Sequence, residues 1–466
     1  MKPSIVWFRD DLRVSDNPAL RAAVASGSAV ALYVLDEESA GIRPLGGAAR
    51  WWLHHSLTAL EAELDALGIP LLLRRGPAAV VVPETADSLR AGALFWNRRY
   101  GLPERTVDAG IKAWAQTSAL RVESFQASLL HEPWEVTTKQ GGQYKVFTPF
   151  WRTVSATDIR PPLERPEPGQ GYTGTLPDQA GQASLAVLDS WRLLPTRPDW
   201  SAGLAATWKP GSAHAHEKLA DFLDQGLAGY RENRDRPDRD GSSGLSPYLR
   251  WGEISPNEVW HAAAGHRGNA AESTAVFASE LGWREFCWHQ YFHQPALATA
   301  NLRPEFDRFP WARPDPAGDN GPVEKELRAW QQGNTGFPLV DAGQRQLWHT
   351  GWMHNRVRMV TASFLVKNLG IHWQAGEQWF WDTLVDADPA SNPANWQWVA
   401  GSGADAAPFF RIFNPESQRT KFDPAGKYVG RWIPEFGTPA YPEPMVDLKA
   451  SREEALEAYQ GLKSAE

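Results

Sequence analysis

The sequence lacks the features of disulfide-bonded, membrane-spanning and secreted proteins. One cysteine among 466 residues excludes an internal disulfide and a cysteine-cluster metal site. No segment approaches the roughly 20 consecutive apolar residues of a membrane span, and the first residues lack the apolar stretch of a signal peptide. We therefore expect a cytoplasmic protein without a metal site and without membrane contact.

A strong excess of charge of either sign is also absent. The net charge of −8 at pH 7 argues against indiscriminate coating of nucleic acid, although it is compatible with a local basic groove. Tryptophan, in contrast, is abundant, with 24 residues against 10 tyrosines. Because an indole ring is large and carries a polar N–H group, this surplus suggests a role in addition to packing.

The first quarter of the chain alternates short β-rich segments with amphipathic ones. Strands separated by helices form a parallel, doubly wound sheet of the Rossmann-like type. The turn after the first strand lacks the G-x-G-x-x-G fingerprint, which disfavours a nicotinamide site. The predicted strands are residues 5–8, 29–35, 70–73, 93–96 and 120–125, and the predicted helices between them include 48–67 and 104–115.

The later chain has a different pattern. A proline- and glycine-rich stretch follows the sheet and is typical of a connector that runs over the surface. Beyond it, apolar residues recur at three- and four-residue spacing, which predicts helices at 217–227, 276–292, 324–332, 341–349 and 354–369. The predicted division is an α/β domain at 1–128, a connector at 129–205 and an all-helical domain at 206–466.

One predicted helix carries charged residues on both sides of a tryptophan. Glu280 and Arg284 are four residues apart, so they would share a helical face with Trp283 between them. The simplest interpretation is a surface ion pair beside a core tryptophan. A functional cluster is the alternative.

A second cluster places positive charge at the start of an apolar helix. Arg356 and Arg358 would lie near the N-terminus of this helix, where the helix dipole opposes positive charge. They therefore need anionic partners, for which Asp386, Asp388 or a phosphate group are candidates. A buried structural salt bridge is equally compatible with the pattern.

Two further segments are unusual in composition. Trp396 and Trp398 are two residues apart and cannot share one helical face, so we expect one to face inward and the other to line a cavity. The segment GSSGLSP at 241–247 sets small hydroxyl residues between glycines before a helix. This pattern supplies backbone N–H groups to phosphates, but serine is also a common helix cap.

Taken in order, these segments resemble the cryptochrome/photolyase family, and specifically the class I cyclobutane-pyrimidine-dimer (CPD) photolyases. The resemblance covers nearly the whole chain, from WFRDDLRVSDNPAL at 7–20 through YKVFTPF at 144–150. It is strongest across TGFPLVDAG at 335–343, TGWMHNRVRM at 350–359 and WQWVAGSGADAAPFFRIFNP at 396–415.

The resemblance implies that the helical domain binds FAD, held in its reduced form FADH⁻. Arg358 and Asp386 would flank the flavin ring, Asp388 would meet its polar edge, and Asn392 would face N5. Gly244 stands where the family has an arginine, which puts one phosphate contact in doubt. The flavin-binding residues that the resemblance implies are Tyr230, Ser242, Ser243, Leu245, Ser246, Asn355, Arg358, Asp386, Asp388 and Asn392.

The resemblance also implies a pocket for the damaged DNA. Glu280 would hydrogen-bond the pyrimidine edges, while Trp283 and Trp398 would form aromatic walls. The residues expected to contact the lesion or the DNA are Arg234, Glu280, Trp283, Arg284, Asn355, Arg356, Met359, Trp398 and Arg411. Trp396, Trp373 and Trp311 would form the electron-transfer chain that leads to the surface.

The activity implied is that of a deoxyribodipyrimidine photo-lyase, a carbon–carbon lyase. Light would excite FADH⁻, an electron would pass to the pyrimidine dimer in UV-damaged DNA, and the cyclobutane bonds would split. We expect a monomer. Relatives carry an antenna chromophore against the N-terminal domain, and the candidates for such a pigment here are methenyltetrahydrofolate, a deazaflavin or FMN. Arg50 and Glu104 are candidate contacts, although a solvated helix charge is the simpler interpretation of each. The alternative is a cryptochrome-type blue-light photoreceptor, against which Asn392 argues, because sensor-type relatives often carry Asp or Cys at that position.

Overall fold

A computed structural model describes residues 2–176, 184–315, 318, 321–405 and 411–464. The N-terminal domain contains a parallel sheet with the strand order β3-β2-β1-β4-β5, so the predicted doubly wound fold is confirmed. Its strands are β1 (Ser4–Phe8), β2 (Ala29–Leu35), β3 (Leu71–Arg75), β4 (Ala93–Asn97) and β5 (Arg121–Phe125). The helices between them are α1 (Pro18–Ala25), α2 (Gly47–Asp65), α3 (Ala78–Ser88) and α4 (Leu102–Ala115).

The central strand β1 is buried on both faces, as parallel strands covered by helices are. Because side chains alternate along a strand, Val6 and Phe8 pack in the core that includes α1 and α2. Ile5 and Trp7 point to the other face and pack with α3 and α4. One five-residue strand thus anchors both layers of helices.

The segment between the sheet and the helical domain is more ordered than the prolines suggest. Its helices are α5 (Phe147–Val154), α6 (Ser184–Ser190) and α7 (Ala202–Thr207). Phe147 and Phe150 of α5 are buried together with Phe286 of the helical domain. The prediction of an irregular surface connector was therefore wrong for α5, because its aromatic residues are part of a core.

The remaining chain is helical, as predicted. Its α-helices are α8 (Ser212–Asp221), α9 (Tyr230–Asn233), α10 (Ser246–Trp251), α11 (Pro256–Ala264), α12 (Arg267–His293), α13 (Pro322–Gln332), α14 (Pro338–Thr350), α15 (Asn355–Ser363), α16 (Trp373–Thr383), α17 (Ser391–Ala400), α18 (Pro415–Phe422), α19 (Lys427–Trp432) and α20 (Leu448–Ser464). Shorter turns are the 3₁₀-helices Leu227–Gly229 and Pro304–Arg308 and the π-helices Phe222–Gly226 and Phe364–Asn368.

Two predicted helices continue as π-helices in the structure. The segment predicted at 217–227 is α8 followed by a π-turn, and the segment predicted at 354–369 is α15 followed by a second π-turn. The apolar periodicity continues across both junctions, so the sequence pattern did not reveal the change. In the part of the chain that the structure describes, no helix is both long and apolar enough to cross a membrane.

Candidate functional site

A cavity of about 480 Å³ opens between α12, α15, α16 and α17, within the size range of small-molecule and cofactor sites. Residues far apart in sequence meet there because α17 packs against α12, α15 and α16. The predicted site residues that line it are Arg234, Ser246, Glu280, Trp283, Arg284, Asn355, Arg356, Arg358, Met359, Asp386, Asn392, Trp396 and Trp398.

Other predicted residues lie outside this lining. Leu245 is fully buried in the hydrophobic core and Tyr230 packs on the rings of Phe222 and Phe277. Arg411 is exposed. Ser242 and Ser243 are half-buried in the turn before α10, and Trp373 and Trp311 are buried behind the cavity wall.

Glu280 faces the cavity from α12 and is held by a cation. Its carboxylate accepts a hydrogen bond from Arg234, and the two side chains are 29% and 22% exposed. Arg284 instead donates to Glu285, 3.2 Å away. The ion pair expected between Glu280 and Arg284 is therefore absent, because each has a closer partner of opposite charge.

Arg356 and Arg358 both find carboxylates, as their position at the N-terminus of α15 requires. Arg358 donates from Nη2 to both oxygens of the buried Asp386, at 3.1 and 2.9 Å. Arg356 donates to Asp235 Oδ2 at 2.7 Å. His354, the residue before α15, accepts the Arg356 N–H on Nδ1, and burial lowers its pKa to about 4, so it adds no charge near pH 7.

Asp388 is not a partner of these arginines. It is buried and its Oδ1 accepts the backbone N–H groups of Ala390, at 2.9 Å, and Ser391 at the start of α17. The expectation that Asp388 balances the α15 cations was therefore wrong, because capping the next helix occupies this carboxylate.

Aromatic residues form two walls of the cavity. Trp283 stacks on Phe147, with ring centroids 3.7 Å apart, and Trp398 donates its indole N–H to the backbone oxygen of Asp405 at 3.2 Å. Trp396 is 2% exposed and also lines the cavity, so the expectation that only one of the α17 tryptophans faces it was wrong.

Asn392 is oriented by a buried glutamate. Its Nδ2 donates to the backbone oxygen of Glu377 at 3.0 Å and to Glu377 Oε1 at 2.8 Å. Since a backbone carbonyl can only accept a hydrogen bond, the nitrogen of the amide faces Glu377. The amide oxygen is consequently left for the cavity that Asn392 lines.

The three tryptophans expected to carry electrons lie in one hydrophobic core. Trp396 lies directly against α16, since a Cβ added to Gly376 would be 2.1 Å from Trp396 Cη2. Trp373 begins the same helix. The ring of His372 lies 5.6 Å from that of Trp373 and 5.0 Å from that of Trp311, so an imidazole stands beside both outer tryptophans.

The side chain of Lys218 lies close to Gly244, the position where the family has an arginine. Gly244 has a left-handed φ of +64°, and a Cβ there would lie 2.7 Å from Lys218 Cε. A side chain at residue 244 would thus be strained by the left-handed backbone, whereas the flexible end of Lys218 can move aside. The Lys218 amine of α8 would lie 3.6 Å from the same Cβ.

The cavity fits a large cofactor with polar edges. Trp396 Nε1 and Gln290 Oε1 are buried there without a hydrogen-bond partner among the described residues. Because buried polar groups normally have a partner, both atoms are available to a bound ligand. Burial raises the pKa of the Cys287 thiol to about 12, so this lining group is neutral. The Arg358–Asp386 pair supplies complementary charges to a planar ring with donors and acceptors.

Some lining and supporting residues were not predicted. Asp235 directly follows Arg234 in a segment that was already considered, so its charge was a usable signal. Phe147 lies in the motif at 144–150. Glu377 and Gln290 carry no local pattern, because their partners are distant in sequence.

This two-domain arrangement, with a polar cavity inside a helical domain, is typical of a cofactor-binding enzyme or photoreceptor. Residues 4–168 match the family model described as DNA photolyase, and residues 277–440 match the FAD binding domain of DNA photolyase. The chain belongs to the cryptochrome/photolyase family, and its helical domain is an FAD-binding domain.

Individual relatives span the whole chain. A deoxyribodipyrimidine photo-lyase of Agrobacterium fabrum is 47% identical over 99% of this chain and 98% of its own. Cryptochrome-1 of Arabidopsis thaliana is 37% identical over 93% of this chain and 63% of its own. The crystal structure of a bacterial class III photolyase from Agrobacterium tumefaciens superposes with a TM-score of 0.92 at 45% identity, covering 100% and 98% of the two chains.

Proposed function

We propose that this protein is a deoxyribodipyrimidine photo-lyase that splits cyclobutane pyrimidine dimers in UV-damaged DNA under light. The observation that carries the proposal is the composition of one cavity. Glu280, Trp283 and Trp398 line it together with Asn392 and the Arg358–Asp386 pair. Groups suited to a nucleobase and groups suited to a flavin therefore face the same space.

The substrate side of the cavity fits a flipped dinucleotide, and photolyases are among the enzymes that extrude their target from the duplex. Trp283 and Trp398 offer apolar faces on which unstacked bases pack. Glu280 accepts hydrogen bonds from pyrimidine N–H groups, a role for which Arg234 holds it in place. Arg234, Arg284 and Arg356 line the cavity, each paired with a carboxylate. Their remaining N–H donors can position phosphates of the DNA despite the net charge of −8.

The cofactor side fits FAD in its reduced form. When bound, reduced FAD supplies the electron that light excites, while the protein binds and orients the reactants. Arg358 and Asp386 would flank the ring, and Ser246, Asn355 and the turn at 241–247 would hold the phosphate and ribityl groups. Asn392 contributes a neutral amide at the ring, which neither donates a proton readily nor repels an anion.

The finer class is proposed from the similarity to the structure of a class III photolyase. The class I assignment expected from the motifs is not confirmed, since the structure at 45% identity is a class III photolyase. We therefore place the CPD-splitting activity in a protein of class III type. The cytoplasmic location and monomeric state remain predictions.

A cryptochrome-type photoreceptor is the alternative, favoured by the 37% identity to a plant cryptochrome. Asn392 favours repair instead, as do the predicted lesion contacts that line the cavity: Glu280, Trp283, Asn355, Met359 and Trp398. Trp396, Trp373 and Trp311 are compatible with either activity, because both would use them to reduce oxidised flavin with light.

We also propose an antenna chromophore bound to the N-terminal domain. Glu104 of α4 is half-buried, and its buried Oε2 atom has no hydrogen-bond partner among the described residues. Arg50, the other candidate contact, is already paired with Glu37. Methenyltetrahydrofolate, a deazaflavin and FMN remain the candidate pigments.

The substrate class can be tested with defined lesions. Reduced protein is mixed with one oligonucleotide that carries a single CPD and another that carries a single (6-4) photoproduct, under blue light and in the dark. We expect repair of the CPD strand only, and only in the light. Repair of neither strand, together with normal flavin photoreduction, would favour the photoreceptor.

A further inference from the structure

A short loop of the N-terminal domain, before α2, contacts α16 of the helical domain. Arg43 donates from Nη1 and Nη2 to the two carboxylate oxygens of Glu377, at 2.7 and 3.0 Å. The Glu377 side chain is 2% exposed. Within the described ranges, Arg43 is the only cation at salt-bridge distance from this carboxylate.

The loop that carries Arg43 is fixed on α16 by several contacts. The Arg43 guanidinium lies 4.2 Å from the centroid of the Trp381 ring, and Trp381 Nε1 donates to the backbone oxygen of Pro44 at 2.9 Å. Gly47 N donates to Asp382 Oδ1 at 2.8 Å. A Cβ on Gly46 would lie 2.2 Å from the Trp381 oxygen, so the backbones approach too closely for any side chain.

Glu377 in turn holds Asn392. The same Oε1 atom accepts from Arg43 and from Asn392 Nδ2. A buried carboxylate that lacks its cation is strongly unfavourable, and the Glu377 oxygen that Arg43 Nη1 holds is the one that accepts the Asn392 N–H. The order of contacts is therefore Arg43 to Glu377 to Asn392, and it ends at the cavity.

We propose that Arg43 is a positioning residue of the flavin site, supplied by the N-terminal domain, which keeps the Asn392 amide oxygen directed at the flavin and so favours the reduced cofactor. The inference rests on the proposed placement of the flavin beside Asn392. Reduced flavin carries a hydrogen on N5, which an amide oxygen accepts. Oxidised N5 carries a lone pair instead, which the same oxygen repels.

The test is a redox titration of FAD bound to the full-length protein in the dark. At a fixed applied potential, R43Q should show about a ten-fold lower ratio of reduced to oxidised flavin than wild type, the size expected for loss of one charge-assisted hydrogen bond. R43K, which keeps the charge but not the bidentate fork, should fall between them. R75Q removes a half-exposed arginine of the same domain and should match wild type.

The double variant R43Q/E377Q separates positioning from a merely structural role. If Arg43 acts through Glu377, R43Q has no further effect on the flavin ratio when Glu377→Gln is already present. The proposal would be overturned if R43Q had the same ratio of reduced to oxidised flavin as wild type. It would also be overturned if R43Q lowered this ratio equally in the wild-type and E377Q backgrounds.

Purification of R43Q without its flavin would be an informative result as well. If R43Q/E377Q binds flavin again, the proposal is supported, because the unpaired buried charge of Glu377 was then the cause of the loss. Equal loss in both variants would overturn it. Repair by the wild-type protein is measured in a separate experiment. If wild type does not repair the lesion but R43Q still lowers the flavin ratio, only the proposed function is contradicted.

Discussion

The indole ring of Trp283 lies on the phenyl ring of Phe147, with centroids 3.7 Å apart and planes inclined by 8°. Phe147 N donates to Asp405 Oδ2 at 3.1 Å, and Trp398 Nε1 donates to the backbone oxygen of Asp405 at 3.2 Å. Asp405 therefore joins the two aromatic walls of the cavity. The connector helix α5 thus takes part in shaping the site.

Removal of the ring under Trp283 should weaken binding of the lesion. We expect F147A to lower the affinity for a CPD-containing oligonucleotide about three- to ten-fold, because an aromatic pair contributes about 0.5–1.5 kcal/mol beyond its buried area. Fluorescence anisotropy in the dark measures this affinity. V146A, which trims an exposed neighbour, serves as the control and should bind as wild type does.

Glu280 should affect repair more than folding. We expect E280A to keep its FAD but to repair CPDs about ten-fold more slowly, because a hydrogen bond to a charged group is worth about 1.5–3 kcal/mol. Photons absorbed per dimer split is the quantity to measure. E272Q removes an exposed carboxylate from the same helix and should leave the number of photons per dimer unchanged. An E280A protein as efficient as wild type would contradict the role of Glu280.

The Arg358–Asp386 pair should be required both for stability and for flavin retention. In D386N the half-buried Arg358 loses its carboxylate, so we expect a free energy of unfolding lower by about 3 kcal/mol and purification largely without FAD. Denaturant unfolding and flavin absorbance report the two effects. D224N, at an exposed aspartate of the same domain, should show neither.

Stability should depend on pH through Glu253, which is fully buried and accepts from Trp52 Nε1 at 3.2 Å and Gly211 N at 2.7 Å. Burial raises its pKa to about 8, so the folded chain keeps a proton that the unfolded chain has lost. The stability that this proton provides is complete below the ordinary pKa of glutamate and is lost as the pH rises through about 8.

The E253Q variant tests this dependence. The urea midpoint of wild type should fall between about pH 6 and about pH 9, and the fall should be smaller in E253Q, which cannot ionise. E217Q, at an exposed glutamate of α8, should retain the wild-type dependence. An E253Q protein with an unchanged pH profile would show that Glu253 does not carry the effect.

Trp396 should be needed for light-driven reduction of oxidised flavin but not for repair by protein that is already reduced. In W396F we expect photoreduction to be largely lost, because a phenyl ring is much harder to oxidise than an indole. Dithionite-reduced W396F should repair CPDs as wild type does. Photoreduction of W396F at the wild-type rate would exclude Trp396 from the route; W134F, at an exposed ring, is the control.

The sequence predicted the sheet and most helices because their apolar periodicity is local. It also predicted the residues that line the cavity where they lie in long motifs, such as 350–359. It could not predict the partner of Glu280, since Arg234 is 46 residues away and Arg284 satisfied the local spacing rule. Nor could it choose between Asp386 and Asp388 as partners of the α15 arginines, because the capping of α17 by Asp388 is a property of the folded chain.

Contacts between domains were beyond reach of the sequence patterns. Arg43 and Glu377 are 334 residues apart, and no local pattern connects them. The ordered α5 was also missed, because the prolines and glycines of the connector outweighed the aromatic residues at 147–151. Packing against α12 makes this helix part of the core.

The most direct test of the account is light-dependent repair by the purified, reduced protein. UV-irradiated oligo(dT) is incubated with it under blue light, and the ultraviolet absorbance of thymine is followed, with a dark sample and an E280A sample in parallel. The account predicts that thymine absorbance recovers in the light with wild type, stays constant in the dark, and recovers much more slowly with E280A. No recovery in the light by reduced, FAD-loaded wild type would contradict it.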